Sequence, residues 1–183
     1  MSPFYTQSGD DGYTSLLGKD RVAKDHPQIE AVGVLDETTA AVGLARSLCQ
    51  SQNIAPILIV IQRDLYRLMA EVVATPENAP HFRKINTSSV TWLEGKIGEV
   101  EGLIEIPDEF ILPGDTPGGA ALALARTIVR RAERRISELF HSGILINNEL
   151  LRYLNRLSSL LFVLELLENQ NAGKPTYTLA KEG

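Results

Sequence analysis

Apolar residues in this chain recur mostly at steps of three or four, which is the period of an amphipathic helix. Near the amino-terminal third, the residues that carry this period are Ile29, Val32, Leu35, Val42, Ala45 and Leu48. Near the carboxyl end, a broad face repeats the spacing with Leu150, Leu151, Leu154, Leu157, Leu161, Leu164 and Leu167. Only the short run Ile57–Val60 resembles a strand. The pattern therefore predicts an all-α fold.

Five helices follow from the apolar pattern and from the residues that interrupt it. The predicted ranges are Pro27–Gln52, Ile57–Ala74, Thr87–Gly102, Gly119–Phe140 and Asn147–Asn169. Proline at residue 27 suits a first helical turn, and a proline- and glycine-rich linker precedes the fourth helix. Helices of this length with short connections pack as an up-and-down bundle, and such bundles often form symmetric oligomers.

The length of 183 residues fits one domain with a substantial core. We expect residues 1–25 to form an N-terminal loop, residues 27–169 to form the helix bundle, and residues 170–183 to form a flexible tail. No apolar run is long enough to span a bilayer, and the polar residues 1–24 do not have the composition of a secretory signal. These features predict a cytoplasmic protein without a membrane partner.

The net charge and the counts of cysteine and histidine argue against several kinds of partner and site. The net charge of −5 gives no basic bias, so nucleic acid is not an expected partner. The single Cys49 cannot form an internal disulfide and lies in an apolar run, which favours a buried small side chain over a nucleophile. The three histidines, His26, His81 and His141, lack the spacing of a zinc site.

The N-terminal segment Tyr5–Ser15 concentrates glycine, hydroxyl and carboxylate groups, and the basic residues Lys19, Arg21 and Lys24 follow it. Glycines let backbone N–H groups approach an anion, whereas Asp10 and Asp11 suit hydrated magnesium or a ribose hydroxyl. The composition indicates a loop for a metal–nucleotide, and an ordinary turn is the alternative. A P-loop is excluded, because the glycine spacing is one residue too long and no strand precedes it.

The fourth predicted helix carries three arginines, Arg126, Arg130 and Arg134, spaced four apart and therefore stacked on one face. Like charges at this spacing repel, so the stack suggests compensation by a polyphosphate or by carboxylates such as Asp36 and Glu37. A solvated basic face is the alternative interpretation. Because much of this helix is apolar, we expect it to be largely buried, with any buried arginine paired.

Three other positions each allow two interpretations. Asn155 interrupts a leucine-rich run, either as a core residue that fixes the bundle or as a ligand contact on its surface. Asp36 and Glu37 are suited to a salt bridge with an arginine, and an acid–base role is the alternative. Phe110, in the linker, is either a loop anchor or the aromatic wall of a ligand site.

Taken together, these segments resemble the PduO-type ATP:cob(I)alamin adenosyltransferases. The resemblance spans nearly the whole chain, in the family's order, and is carried by YTQSGDDGYTSL (5–16), DRVAKD (20–25), EAVGVLDE (30–37), FILPG (110–114), ARTIVRRAER (125–134) and YLNRLSSLLFVL (153–164). It implies a ferritin-like five-helix bundle that assembles as a homotrimer with ATP between subunits. It also implies transfer of the 5′-deoxyadenosyl group from Mg²⁺-ATP to the cobalt of cob(I)alamin, with release of triphosphate.

The resemblance also implies roles for individual residues. Arg130 would be essential, Asp36 and Arg126 would pair across the subunit interface, and Phe110 would help to displace the lower axial base of cobalamin. The residues implied in ATP binding are Thr6, Gln7, Ser8, Gly9, Asp10, Gly12, Tyr13, Thr14, Ser15, Lys24, Arg130, Glu133, Arg134 and Asn155. The metal ligands are not specified, because Mg²⁺ would be held mainly by the ATP phosphates.

The sequence departs from the family pattern at several positions, of which Gln7, Asp115, Ala123 and Ser159 bear most on activity. An active adenosyltransferase, a non-catalytic carrier or sensor of ATP or adenosylcobalamin, and a purely structural bundle are therefore three separate hypotheses. The intact Arg130–Arg134 block, together with Asn155, argues against the purely structural bundle. A B12-dependent mutase or dehydratase and a cobalamin reductase are the further candidate partners.

Overall fold

The computed structural model describes residues 5, 7–173 and 177–181. Within them, a small antiparallel hairpin precedes the helices, with strands β1 (Tyr13–Ser15) and β2 (Arg21–Ala23). The helices are α1 (Pro27–Leu48), α2 (Ile54–Val72), α3 (Ala79–Phe82), α4 (Thr87–Glu101), α5 (Pro117–His141) and α6 (Glu149–Asn171). The long helices are α1, α2, α4, α5 and α6, so the expectation of a mainly helical chain with five helices is confirmed.

The observed starts of two helices differ from the predicted starts because of the residues in or before their first turns. Helix α2 begins at Ile54, three residues before the predicted start, because Pro56 lies in the first turn, where a missing N–H costs no helical bond. Helix α5 begins at Pro117, because the Thr116 hydroxyl accepts a hydrogen bond from the N–H of Gly119 at 2.9 Å. The single-turn helix α3 was not predicted.

The N-terminal hairpin corrects the all-α prediction. Each strand has only three residues, with no apolar alternation from which the sequence could reveal it. The hairpin is joined to the bundle just after β1, where Leu16 is buried and the N–H of Leu17 donates to the carbonyl of Val73 at 2.9 Å. Residues 13–23, predicted as part of a loop, therefore form a folded element attached at the end of α2.

The helices run up and down. Helix α1 lies antiparallel to both α2 and α5, and α5 lies antiparallel to α6. Helix α4 runs parallel to α6: Arg156 donates to Glu94 in the middle of α4, and Gln170, further along α6, donates to the carbonyl of Leu103 just after α4 ends. No described helix is long and apolar enough to cross a membrane.

The core lies between these helices and is richest along α6, whose leucine face is buried as predicted. One polar group is enclosed with it: the Tyr153 hydroxyl donates to Asp64 at 3.1 Å, and Arg67 donates to the other carboxylate oxygen at 2.9 Å. Both Tyr153 and Asp64 are buried. This network ties α6 to α2.

Replacing Tyr153 with Phe removes the hydroxyl from this buried carboxylate. We expect the free energy of unfolding to fall by about 2 kcal/mol, because Asp64 loses a hydrogen bond that water cannot replace. The control is Tyr66→Phe, since Tyr66 is 71% exposed on the same helix as Asp64. Urea denaturation of both variants checks the prediction, and equal stabilities would contradict it.

Candidate functional site

The N-terminal hairpin encloses an open cavity of about 650 Å³. Its lining residues are Ser8, Gly9, Tyr13, Thr14, Ser15, Arg21 and Lys24. Two cations and several hydroxyl groups therefore face one space, which is the chemistry expected of an anion site. Of the residues predicted here, Thr6 lies outside the described residues, and Gln7, Asp10 and Gly12 lie in the same turn without lining the cavity.

One ion pair shapes the hairpin. Arg21 donates to the Asp11 carboxylate at 3.0 Å and to the carbonyl of Ser8 at 2.8 Å, and the N–H of Tyr13 also donates to Asp11. The hydrogen bond from Arg21, followed by that from Tyr13, lowers the pKa of Asp11 below its ordinary value. Asp11 is therefore occupied in holding the turn, whereas Asp10 remains exposed beside it.

Two backbone features bring the turn close to Lys24. Gly12 has φ +82°, a conformation that side chains disfavour, and its carbonyl accepts from the N–H of Lys24 at 2.9 Å. Gly9 lies against the Lys24 side chain, since a Cβ at Gly9 would lie 3.2 Å from Nζ. Gln7 also has a positive φ, of 59°. The glycines thus serve the close approach that the sequence suggested.

The arginine stack on α5 is only partly buried, contrary to expectation. Arg130 and Arg134 are exposed, and the guanidinium of Arg134 donates to the carbonyl of Arg130 at 3.0 Å. Within the described residues, neither side chain forms an ion pair. Their charges remain available for an anion.

The carboxylates expected to neutralise this stack do not reach it. Glu37 instead forms an ion pair with Arg131, on the neighbouring face of α5. Asp36 is exposed and forms no hydrogen bond or ion pair with any residue that the structure describes. The expected salt bridge of Glu37 with an arginine is therefore confirmed, but its partner is Arg131 and not a member of the stack. Asp36 remains available for contact outside the chain.

Asn155 lies on the bundle surface next to this stack. Its amide donates to Glu133 at 3.1 Å and accepts from Arg156 at 2.8 Å, and Arg156 also donates to Glu94 at 2.9 Å. The core interpretation of Asn155 is therefore wrong, because the side chain is exposed. The network joins α4, α5 and α6 and fixes the orientation of Glu133 and Asn155 beside Arg130.

Two clefts lie side by side along α5 and α6. One, of about 320 Å³, includes Arg130, Ser158 and Ser159 in its lining. The other, of about 400 Å³, is hereafter the Phe110 pocket, and its lining is Pro107, Asp108, Glu109, Phe110, Ile111, Pro113, Arg126, Phe162 and Glu165. Arg126 and Phe162 line both, with the guanidinium carbon 5.7 Å from the ring centroid. The clefts therefore share a wall.

Phe110 projects from the linker and is 88% exposed, so it does not anchor the loop in the core. The C-terminal segment holds the loop instead: the N–H of Ala180 donates to the carbonyl of Phe110 at 2.8 Å, and the N–H of Leu112 donates to the carbonyl of Thr178 at 2.7 Å. Asp115 accepts hydrogen bonds from both the N–H and the hydroxyl of Thr178. Residues 177–180 thus pair with the linker, an arrangement that the sequence did not reveal.

Glu165, a position where the sequence departs from the family pattern, lines the Phe110 pocket, and the sequence analysis assigned it no role there. Its side chain is 1% exposed, and burial raises its pKa from 4.5 to about 7, despite the opposing effect of Arg126. The sequence signal was present, since a glutamate interrupts the leucine face three residues after Phe162 and so lies on the same side of the helix. Ala123, another position at which the sequence departs from the family pattern, is by contrast buried in the core.

The hairpin cavity shares no lining residue with either of the two clefts. The cavity is lined by residues of the 8–24 segment alone, whereas both clefts are lined by α5, α6 and the linker, and the cleft beside Arg130 also by α4. Among the described residues, no group of three or more His, Cys, Asp or Glu side chains is arranged to hold a metal ion. Each chain therefore presents two separate parts of the predicted site.

Replacing Glu165 with Gln should change how stability depends on pH. Because the folded pKa is raised, the folded chain holds this proton more tightly than the unfolded chain, and stability falls as pH rises from about 4.5 through about 7. Between pH 4.5 and 8, the wild type should lose up to about 3 kcal/mol relative to the variant. Denaturant titrations at both pH values check this, with exposed Glu77→Gln as control; parallel profiles would contradict it.

Comparisons with known proteins agree with this geometry. A family model described as cobalamin adenosyltransferase matches residues 4–168. The corrinoid adenosyltransferase PduO of Salmonella typhimurium is 38% identical over 169 residues, covering 92% of this chain and 50% of that protein. The corrinoid adenosyltransferase of Bacillus subtilis is 35% identical over 173 residues, covering 92% and 88%. The chain thus spans about half the length of the PduO relative from Salmonella typhimurium.

Solved structures from Lactobacillus reuteri are similarly close. One is a variant PduO-type ATP:corrinoid adenosyltransferase, with a substituted phenylalanine, complexed with cobalamin and ATP; its TM-score is 0.89 at 32% identity, over 98% of this chain and 97% of that chain. Another, with a substituted arginine, is complexed with ATP and has a TM-score of 0.88 at 32% identity, over 97% and 99%. The chain described here belongs to the cobalamin adenosyltransferase family.

Proposed function

We propose that this protein transfers the 5′-deoxyadenosyl group of Mg²⁺-ATP to the cobalt of cob(I)alamin. One observation carries the proposal: the cleft beside Arg130 and the Phe110 pocket share Arg126 and Phe162 as a wall. A phosphate-binding surface and an aromatic pocket for a large ring therefore adjoin, as a reaction between ATP and a corrinoid requires. The relatives named corrinoid adenosyltransferase support the assignment.

In this reaction, the electron pair of Co(I) attacks C5′ of ATP. A Co–C bond forms as the C5′–O bond breaks, and that bonding pair leaves with inorganic triphosphate. Since Co(I) is itself a strong nucleophile, the protein need not supply one. Its task is to hold C5′ in line with cobalt and to stabilise the charge that develops on the leaving triphosphate.

The leaving triphosphate would be met by cations from both parts of the site. Arg130 and Arg134 offer exposed guanidinium groups without carboxylate partners in the described chain. Lys24 and the hydroxyls of Thr14 and Ser15 face the hairpin cavity. Arginine suits phosphate because its planar fork is always charged. Glu133 and Asn155, oriented by their mutual hydrogen bond, would contact the nucleoside portion.

The two parts would come together between subunits of a homotrimer. Support comes from the separation of the hairpin cavity from the arginine face within one chain, which leaves each incomplete. Asp36 is exposed without a partner, and Arg126 has a buried Nε without a hydrogen bond among the described residues. A salt bridge between Asp36 of one subunit and the terminal guanidinium nitrogens of Arg126 of the next would pair the two charges and align the interface.

The corrinoid would occupy the Phe110 pocket. Phe110 and Phe162 present apolar surface there, and Phe110 stands 88% exposed where a ligand could cover it. An aromatic side chain below the cobalt would displace the lower axial base without replacing it as a ligand. Loss of that base makes reduction to Co(I) easier, and this gives the exposed phenylalanine a chemical purpose.

Mg²⁺ would accompany the triphosphate, where it neutralises charge on the leaving group. Among the described residues, the groups that suit Mg²⁺ lie in the hairpin cavity, where the hydroxyls of Ser8, Thr14 and Ser15 are hard oxygen donors. Since the described residues form no metal cluster, the phosphates would provide most ligands and the hydroxyls would act through bound water.

We also infer the setting of the reaction. The 183 residues would act as a single domain, with residues 1–25 as the nucleotide-binding segment. The need for ATP and for a strongly reduced cobalt places the reaction in the cytoplasm. A cobalamin reductase would supply Co(I), and a B12-dependent mutase or dehydratase would consume the product.

Replacing Arg130 with Ala should lower kcat for adenosylcobalamin formation by at least about a hundredfold, since one charged contact to the leaving group is lost. The measurement is anaerobic, with Mg²⁺-ATP and chemically reduced cobalamin, followed by visible absorbance. Arg135→Ala is the matched control, because Arg135 lies on the same helix but pairs with Glu30 and Glu138. It should retain activity.

Retained activity in Arg130→Ala, with the oligomer intact, would refute the role of this residue. A wild-type protein that binds ATP but forms no adenosylcobalamin would refute the proposed reaction. That result would favour the carrier or sensor hypothesis instead, and equilibrium ATP binding measured on the same sample separates the two cases.

A further inference from the structure

Two polar side chains of opposite charge face the Phe110 pocket without hydrogen-bond partners. Glu165, on α6, is 1% exposed, and its Oε1 is buried and unpaired. Arg126, on α5, has a buried and unpaired Nε. Both residues line the pocket, and the absence of partners holds for all residues that the structure describes. Buried polar atoms of this kind usually have a partner.

These two groups do not satisfy each other. Arg126 acts electrostatically on Glu165, but among the described residues the two form no ion pair within 4.0 Å. Asp115, at the base of the linker, is the other charged residue that acts on Glu165, and it is occupied by Thr178. The pocket wall thus offers an acceptor and a donor, separated by a gap, beside two aromatic rings.

We propose that Glu165 and Arg126 form a subsite for a primary carboxamide of the corrinoid. This inference rests on the proposed function, and it names the part of the corrinoid that the pocket would recognise. A carboxamide carries two N–H donors and a carbonyl acceptor, so one group can donate to Glu165 and accept from the Nε of Arg126. Corrinoid rings carry several such amides on their peripheral side chains.

Other ligand groups fit the pair less well. A carboxylate would face Glu165, and an ammonium group would face Arg126, so each would meet a like charge in a poorly solvated wall. An apolar group would leave both polar atoms unpaired. A neutral amide avoids all three costs. The remaining guanidinium nitrogens of Arg126 stay available for Asp36 of a neighbouring subunit.

The test compares corrinoids that differ in one amide. Cobalamin and its separated monocarboxylic acid isomers, each with one peripheral carboxamide hydrolysed to a carboxylate, are reduced to the Co(II) state, which does not react with ATP. Their Kd values are measured at pH 8, in the presence of ATP, by the change in visible absorbance. Binding is therefore read independently of turnover.

We expect the wild type to bind one isomer at least tenfold more weakly than cobalamin, because a carboxylate then faces Glu165. In Glu165→Gln, this penalty should shrink to less than about threefold, since the charge is gone. Glu165→Ala should weaken cobalamin itself by about tenfold, which corresponds to one lost hydrogen bond to a charged group. The control is Glu105→Gln, an exposed linker carboxylate outside the pocket lining, which should keep wild-type discrimination.

Equal binding of cobalamin and all isomers by the wild type would overturn the proposal, as would undiminished discrimination in Glu165→Gln. Circular dichroism and melting of each variant exclude misfolding as the cause. The proposed function is judged separately. If the protein forms adenosylcobalamin but binds all isomers equally, only the carboxamide subsite is refuted. If it distinguishes the isomers but forms no adenosylcobalamin, only the adenosyl transfer is refuted.

Discussion

Uncompensated positive charge on one face of α5 is the constraint on which the rest of the site depends. Arg130 and Arg134 lie one turn apart, and the nearby carboxylates Glu30 and Glu37 are taken by Arg135 and Arg131. Like charges at this spacing destabilise a helix by a few tenths of a kcal/mol. The folded chain therefore maintains a surface that a polyphosphate would stabilise. The neighbouring clefts and the Asn155 network are arranged around this surface.

Helix α6 sets the geometry of that surface. Its leucine face is buried in the core, and Asn155, Phe162 and Glu165, on or beside that face, lie toward α5 and the linker. Because Arg126 lies over the Phe162 ring and both residues line the two clefts, the cleft beside Arg130 and the Phe110 pocket share one wall. The linker is positioned in turn by Asp115 and the strand-like segment 177–180, so the aromatic Phe110 has a defined place.

The sequence predicted the helices well because their apolar period is long and uninterrupted. It predicted the order of all five, and it located the arginine stack on a single face. It missed the hairpin, because three-residue strands such as Tyr13–Ser15 carry no measurable alternation. It predicted that Glu37 pairs with an arginine but not that the partner is Arg131, since helical spacing cannot reveal which arginine across the bundle a carboxylate meets. The isolation of Glu165 depended on packing between α5, α6 and the linker, which only the structure shows.

The central claim is that an intact nucleotide site needs the hairpin of one subunit and the arginine face of another. The most direct measurement mixes two inactive variants, Lys24→Ala and Arg130→Ala, in equal amounts, with subunits exchanged by reversible denaturation. A site shared between subunits predicts recovery of about a quarter of wild-type activity, because half of the hairpins and half of the arginine faces at the interfaces are intact. No recovery in mixed oligomers, verified by mass spectrometry, would contradict the account.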